Sequence, residues 1–189
     1  MLRTRFRLAL MVSALALSSA ACGGDPFALQ WVENPEEATV YALDRPEPHL
    51  RSGFNLFERR PVRIEEPAAD GRWDFAVERR DGTLYFLPPR VMGIRNSRAG
   101  LSPMQGIPWE DIREAPSDST LYIFNEPVEA ERGTVYVIQT HEQTGSFGLR
   151  CVYYGKVEPV ELDVERGALT FLFDVSPDCN NRDLVPPGS

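Results

Sequence analysis

The stretch RWDFAVERRDGTLYFL, residues 72–87, carries the pattern on which the fold turns. Trp73, Phe75 and Val77 recur at a spacing of two, which puts them on one face of an extended chain rather than on one stripe of a helix. Asp81-Gly82 then supplies two residues that tolerate positive φ in a tight turn, and Leu84 and Phe86 resume the alternation on the way back. The segment is expected to be an antiparallel hairpin, Arg72 to Arg79 against Thr83 to Leu87.

Working outward, Thr134 to Thr140 contains Val135, Tyr136, Val137 and Ile138, apolar on both faces, as in a central strand covered from both sides. His141 to Ser146 reads as a turn into Phe147 to Tyr154. Val157 to Asp163 and Ala168 to Val175 continue the meander around Glu165-Arg166-Gly167, with Leu169, Phe171, Phe173 and Val175 on one side. Upstream, Ala38 to Leu43 and Val62 to Glu66 read as strands, separated by a Pro- and Arg-rich stretch without a pattern. Residues 88–108, with three glycines and four prolines, read as a long loop. Trp109 to Arg113 is expected to make one helical turn and Thr120 to Phe124 a further strand. Sixteen prolines, all beyond residue 22, leave few windows for a helix of three turns. The expected class is all-β, an antiparallel β-sandwich or an open barrel with few helices.

The amino terminus differs in kind. Arg3, Arg5 and Arg7 precede an apolar run and then the small residues Ser18 to Ala21, the layout of a signal peptide. The uncharged run from Leu8 to Ala21 is 14 residues, short of the roughly 20 a spanning helix needs. Ser19-Ala20-Ala21-Cys22-Gly23-Gly24 resembles the lipobox of bacterial lipoproteins, although Ser19 stands where most lipoboxes carry Leu. That resemblance implies that Cys22 is joined to diacylglycerol and becomes the new amino terminus; ordinary secretory cleavage after Ala20 or Ala21 is the alternative. Gly23 is not the Asp that holds such proteins at the inner membrane, which favours the outer membrane. The expected organisation is a lipoprotein signal peptide over residues 1–21, an anchor and linker over 22–35 and a single β domain over 36–189.

With Cys22 lipidated, Cys151 and Cys179 are the two thiols left, and an oxidising compartment pairs them without an orphan; two buried reduced thiols are the alternative. Beyond residue 22 the chain carries 17 positive against 28 negative residues, a net charge of −11. Such a chain lacks the attractive term for nucleic acid, and its membrane contact is expected through the lipid on Cys22 rather than through electrostatic docking. Nineteen of the 20 cations are arginine and only Lys156 is lysine, which reads as a coding bias without functional weight.

Catalytic signals are weak. Gly145-Ser146-Phe147-Gly148 lacks the spacing of a nucleophile elbow, and His141-Glu142 opens like a zinc-protease helix but meets Gly145 where the second His belongs. The acidic pairs Glu36-Glu37, Glu65-Glu66 and Glu110-Asp111 read as solvated carboxylates, although an envelope hydrolase using carboxylates is one alternative. Asp174, Asp178, Asn180, Asn181 and Asp183 match no calcium loop, and Lys156 reads as exposed. No metal and no cofactor is expected. The chain is expected to be non-catalytic, a binding or scaffolding module for an unidentified protein or small-molecule ligand.

One further resemblance bears on function. Trp73-Asp74 opening a hairpin, Trp109-Glu110-Asp111-Ile112 with Ala115-Pro116, Gly133-Thr134-Val135-Tyr136-Val137, Tyr153-Tyr154 and Phe171 to Phe173 fall in an order that resembles the HmuY-like family of bacterial haem-binding lipoproteins. The resemblance implies an all-β, lipid-anchored carrier with haem, or another small ligand, as its cargo. The side chains available here as candidate ligands are His141, Met92 and Met104. Taken without the resemblance, His49 and His141 read as exposed loop histidines.

Overall fold

The computed structural model describes residues 31–189 apart from 70, 146 and 147. The signal peptide, Cys22 and most of the linker therefore lie outside the described residues, as do Ser146 and Phe147. The twelve strands are β1 (Glu36–Tyr41), β2 (Gly53–Asn55), β3 (Arg60–Val62), β4 (Phe75–Arg80), β5 (Thr83–Leu87), β6 (Gly100–Met104), β7 (Val128–Glu129), β8 (Val135–Gln139), β9 (Gln143–Thr144), β10 (Arg150–Cys151), β11 (Tyr154–Asp163) and β12 (Ala168–Val175). Among the described residues, 3₁₀ turns stand at Pro67–Ala69, Trp109–Asp111 and Ser119–Leu121.

Ten of the strands form two five-stranded sheets, in the orders β1-β12-β11-β8-β6 and β3-β2-β4-β5-β7, with β9 and β10 as a separate ribbon. Every pairing is antiparallel and neither sheet closes on itself. The fold is thus the β-sandwich of the two expected architectures.

The core lies between the inner faces. Phe54, Phe75, Val77, Leu84 and Phe86 of one sheet meet Val40, Tyr136, Ile138, Val157, Leu169, Phe171 and Phe173 of the other. Phe54 packs edge-on against Phe171 and Phe173 with ring centroids 5.1 and 4.7 Å away, and Phe86 meets Tyr136 in the same way at 5.0 Å. Such edge-to-face pairs add to the burial that drives the two sheets together. Tyr136 also ties the β7–β8 turn. Its hydroxyl donates to the Glu129 carbonyl at 2.6 Å and accepts from the Glu131 N–H at 2.9 Å.

Both outer faces are covered as well. Val135 and Val137 of β8 pack beneath Ile112, Ala115, Tyr122 and Leu184, so the segment after β6 and the carboxy-terminal tail roof the first sheet. Trp73, Ala76 and Leu87 form a separate cluster with Val62, flanked by Val91 and Ile94, on the second sheet. Trp73 is buried as its apolar character demands, yet it precedes β4 and belongs to this cluster, not to that of Phe75 and Val77. The hairpin itself forms as expected, with Asp81 and Gly82 at φ 49° and 79°.

Several expectations are corrected. The span 88–108 is not one long loop, because β6 runs through it as an edge strand; Pro103 is tolerated there since an edge position needs no second ladder donor. Thr120 to Phe124 is not a strand: a 3₁₀ turn capped by Asp118 occupies its start, and only Ile123 makes a bridge, to Leu101. Phe147 to Tyr154 reduces to the two residues of β10, and β11 takes Tyr154 as its first residue. β8 is buried throughout but stands next to the edge strand, and β11 holds the middle of its sheet.

Cys151 and Cys179 are disulfide-bonded, with Cα atoms 5.1 Å apart. Asn180 locks the neighbouring backbone by accepting from the Val152 N–H and donating to the Arg150 carbonyl. Farther along the tail, Glu114 and Asp183 form an isolated bridge and Leu184 is buried. No helix among the described residues is long and apolar enough to cross a membrane.

Candidate functional site

His141 is not an exposed loop histidine. It lies two residues beyond the end of β8 and its side chain is 7 % exposed, because the Asp74 carboxylate holds it from inside. Asp74 Oδ1 accepts from both the backbone N–H and the ring Nδ1 of His141, each at 2.7 Å, and Oδ2 accepts from the Leu56 N–H at 2.7 Å. A carboxylate has only lone pairs to offer, so Nδ1 carries the proton and Nε2 is the ring's remaining polar atom. Asp74 itself is fully buried. One side chain thereby joins the end of β2, the approach to β4 and the exit of β8, and fixes an imidazole whose orientation suits a ligand or a base.

The other two candidate ligands do not join it. Met104 lies opposite Val135 in the β6–β8 ladder and packs under the roof of the first sheet. His141 lies six residues farther along that strand, about 20 Å away in extended chain. Met92 is 42 % exposed, in the turn whose Val91 and Ile94 flank the Trp73 cluster on the second sheet's outer face.

Lys156 is the larger correction. It reads as exposed from its neighbours, but the side chain is 1 % exposed. Its ammonium donates to Glu33 Oε1 at 3.1 Å and to the carbonyls of Trp109 and Ile112 at 3.2 and 3.5 Å, and it stands 4.6 Å from the centre of the Trp109 ring. The alternation of β11 turns Val157 into the sandwich and Lys156 outward, under the same roof that covers Val135 and Val137. That roof supplies two carbonyl oxygens and an aromatic face, and Glu33 from the chain's entry supplies a third oxygen, which together are what a buried ammonium requires. On the same side of the chain's entry, Asp174 accepts from Arg59 and from the Asn34 N–H, both at 2.9 Å, so residues 33 and 34 are held to the body of the domain.

The carboxylate pairs do not converge. Glu36 bonds Arg59, and Glu66 bonds Arg63. Burial works to raise the Glu65 carboxyl, but hydrogen bonds from Arg45, its own N–H and Ser52 hold it below the ordinary value. Glu110 and Asp111 sit exposed on a 3₁₀ turn. Of the tail's oxygen side chains, Asn181 donates to Asp178 and Asp183 while Asp174 and Asn180 serve the contacts already given. Among the described residues no group of three or more His, Cys, Asp or Glu is placed to hold a metal ion.

The surface does hold one concavity of distinct chemistry. A cleft of about 380 Å³ opens at the β3 edge of the second sheet, between the β1–β2 connection and residues 66–72. Its lining includes His49, Arg51, Arg60, Arg63, Glu66 and Arg72. The sequence marks only His49, as an exposed loop histidine, and Glu66, as a solvated carboxylate; the four arginines carry no signal there, because they come from separate segments and arginine is common throughout the chain. Compared with protein-family models, curated proteins and solved structures, the chain matches none. Its function therefore has to be argued from its own residues.

Proposed function

We propose that this protein is a lipid-anchored, non-catalytic binding or scaffolding domain of the bacterial cell envelope, held to the outer membrane through Cys22. The disulfide between Cys151 and Cys179 is the observation that carries this reading. Such a bond persists in an exported protein, and its formation leaves Cys22 as the one other cysteine, inside a segment with the layout of a lipobox. The non-catalytic part is supported by the fate of the reactive groups. The best oriented base, His141, is nearly enclosed and bonded to Asp74, Lys156 is sealed under the roof, and Glu36, Glu65 and Glu66 are each bonded to a different arginine. Expression of the full chain with its leader in a Gram-negative host tests the anchor. Palmitate label and detergent-phase partition are expected to follow Cys22, and a Cys22→Ala protein that is labelled and partitions like the original overturns it.

A second reading, an HmuY-like haem carrier, has one observation in its favour. An imidazole held through Nδ1 by a carboxylate is the arrangement that orients a histidine toward a metal. Haemin titrated into the protein should then give a Soret shift that His141→Ala abolishes. A spectrum unchanged by the protein, or a shift indifferent to His141, removes this reading.

A further inference from the structure

We infer that the cleft at the β3 edge is a binding site for a compact small molecule carrying two or more negative charges on phosphate or carboxylate oxygens. This rests on the reading of the domain as a binding module and names the class of its ligand. From residue 31 on, the chain carries 17 arginines and lysines against 27 acids, and most of its arginines meet a carboxylate. Arg45 meets Glu65, Arg59 meets Glu36 and Asp174, Arg79 meets Asp44, Arg80 meets Glu78, Arg150 meets Glu142 and Arg182 meets Glu114. Arg90, Arg95, Arg132 and Arg166 meet no carboxylate among the described residues, but they lie outside the cleft, which is set apart by the number of cations it concentrates. Among the described residues it gathers four arginines and His49 around one acid, Glu66, which Arg63 already occupies. Arg60 is paired with Glu58, but Arg51 and Arg72 have no carboxylate partner among the described residues.

Converging guanidinium groups repel one another, and a concave wall weakens the screening that water provides, so the arrangement is stabilised by an anion between them. The backbones of Arg51 and Arg72 are also held in place. The Arg51 carbonyl accepts from the Tyr41 N–H at 2.8 Å. The Arg72 carbonyl accepts from the side chain of Asn55, which is fully buried, at 3.1 Å. Fixed stems carrying exposed planar forks suit bidentate capture of phosphate or carboxylate. A volume of about 380 Å³ fits a small molecule and not a polymer.

Calorimetry on the full chain in detergent micelles tests this with pyrophosphate, glucose 1-phosphate and citrate, and with phosphatidylcholine vesicles containing phosphatidic acid. At least one soluble dianion or the phosphatidate vesicle is expected to bind, with affinity falling as salt rises. A soluble ligand assigns the anion to a free metabolite, and binding only to phosphatidate vesicles, in excess of what the Cys22 lipid gives with pure phosphatidylcholine vesicles, assigns it to a lipid headgroup. The double variant Arg51→Gln/Arg72→Gln should weaken that binding at least tenfold, and Arg51→Lys/Arg72→Lys by less, since it keeps charge but loses the fork. Arg132→Gln, outside the cleft, should leave it unchanged. No binding of any probe at millimolar concentration, or equal loss in Arg132→Gln, overturns the site and leaves the tethered-module reading standing. Turnover of the phosphate ester would instead overturn the non-catalytic reading while the arginine dependence still supported the cleft.

Discussion

Replacing Asp74 should do more damage than replacing any other acidic residue of the domain. Its carboxylate is fully buried and accepts three hydrogen bonds at 2.7 Å, from the N–H of Leu56 and from the backbone and ring of His141. Asp74→Ala strands three buried donors at once. Leaving one buried polar group unsatisfied costs about 1–3 kcal/mol. The three losses share one cavity, into which water or a shifted loop can reach, so they do not add in full, and about 4–5 kcal/mol is expected. Domains of this size hold only about 5–15 kcal/mol in total, so the variant should be marginal. Asp74→Asn keeps the shape and one acceptor oxygen, but its NH₂ must face either Leu56 or His141, and a loss of about 2–3 kcal/mol is expected. Urea unfolding followed by tryptophan fluorescence reads both values, because Trp73 is adjacent and buried. An Asp74→Ala protein within about 1 kcal/mol of the parent, at an unchanged slope, would refute the assignment of this carboxylate as the link between β2, β4 and β8.

Three further outcomes follow from particular contacts. Lys156 is the chain's only lysine and 1 % exposed, so amine-reactive reagents should label it in denaturant and leave it unmodified in the native protein; native labelling at the rate of a free lysine contradicts its burial. Burial pushes the Tyr136 phenol up to about 12, against a donor from the Glu131 backbone that works the other way, and burial raises Tyr122 as well. The unfolded chain then releases these protons first, so stability should fall as pH climbs from about 10 toward 12, more gently in Tyr136→Phe, which should also lose about 1–3 kcal/mol at neutral pH; parallel declines in the two proteins refute the coupling. The Cys151–Cys179 bond spans 28 residues and should contribute roughly 3–4 kcal/mol in the loop-entropy model, so Cys179→Ser or reduction should lower the urea midpoint, and an unchanged midpoint would contradict that.

The strands legible in the sequence are those whose two faces differ or whose turn has its own chemistry. β12 is recovered with its bounds because Leu169, Phe171, Phe173 and Val175 alternate without a break, and all four reach the core. The β4–β5 hairpin is recovered because Asp81-Gly82 can only turn that way. β6 was hidden since Gly100 and Pro103 are breakers by local propensity. In place, a Cβ on Gly100 would collide with the Phe124 ring, so the residue's smallness serves packing instead of flexibility. Lys156 left a fainter trace. β8 was seen to be apolar on both faces, and carrying that cover across to the neighbouring strand would have put Lys156 beneath it.

Alternation, turn chemistry and cysteine number are properties of adjacent residues or of the whole composition, so the all-β class, the hairpin and the disulfide pair follow from the chain read as a string. The placement of chemistry does not. Asp74 meets His141 across 67 residues, Lys156 meets Glu33 across 123, and Arg51 and Arg72 face one cleft from different segments. Each of these depends on which sheet covers which face, and that choice is made by packing two sheets around a shared core of phenylalanines, a long-range event that no local pattern encodes.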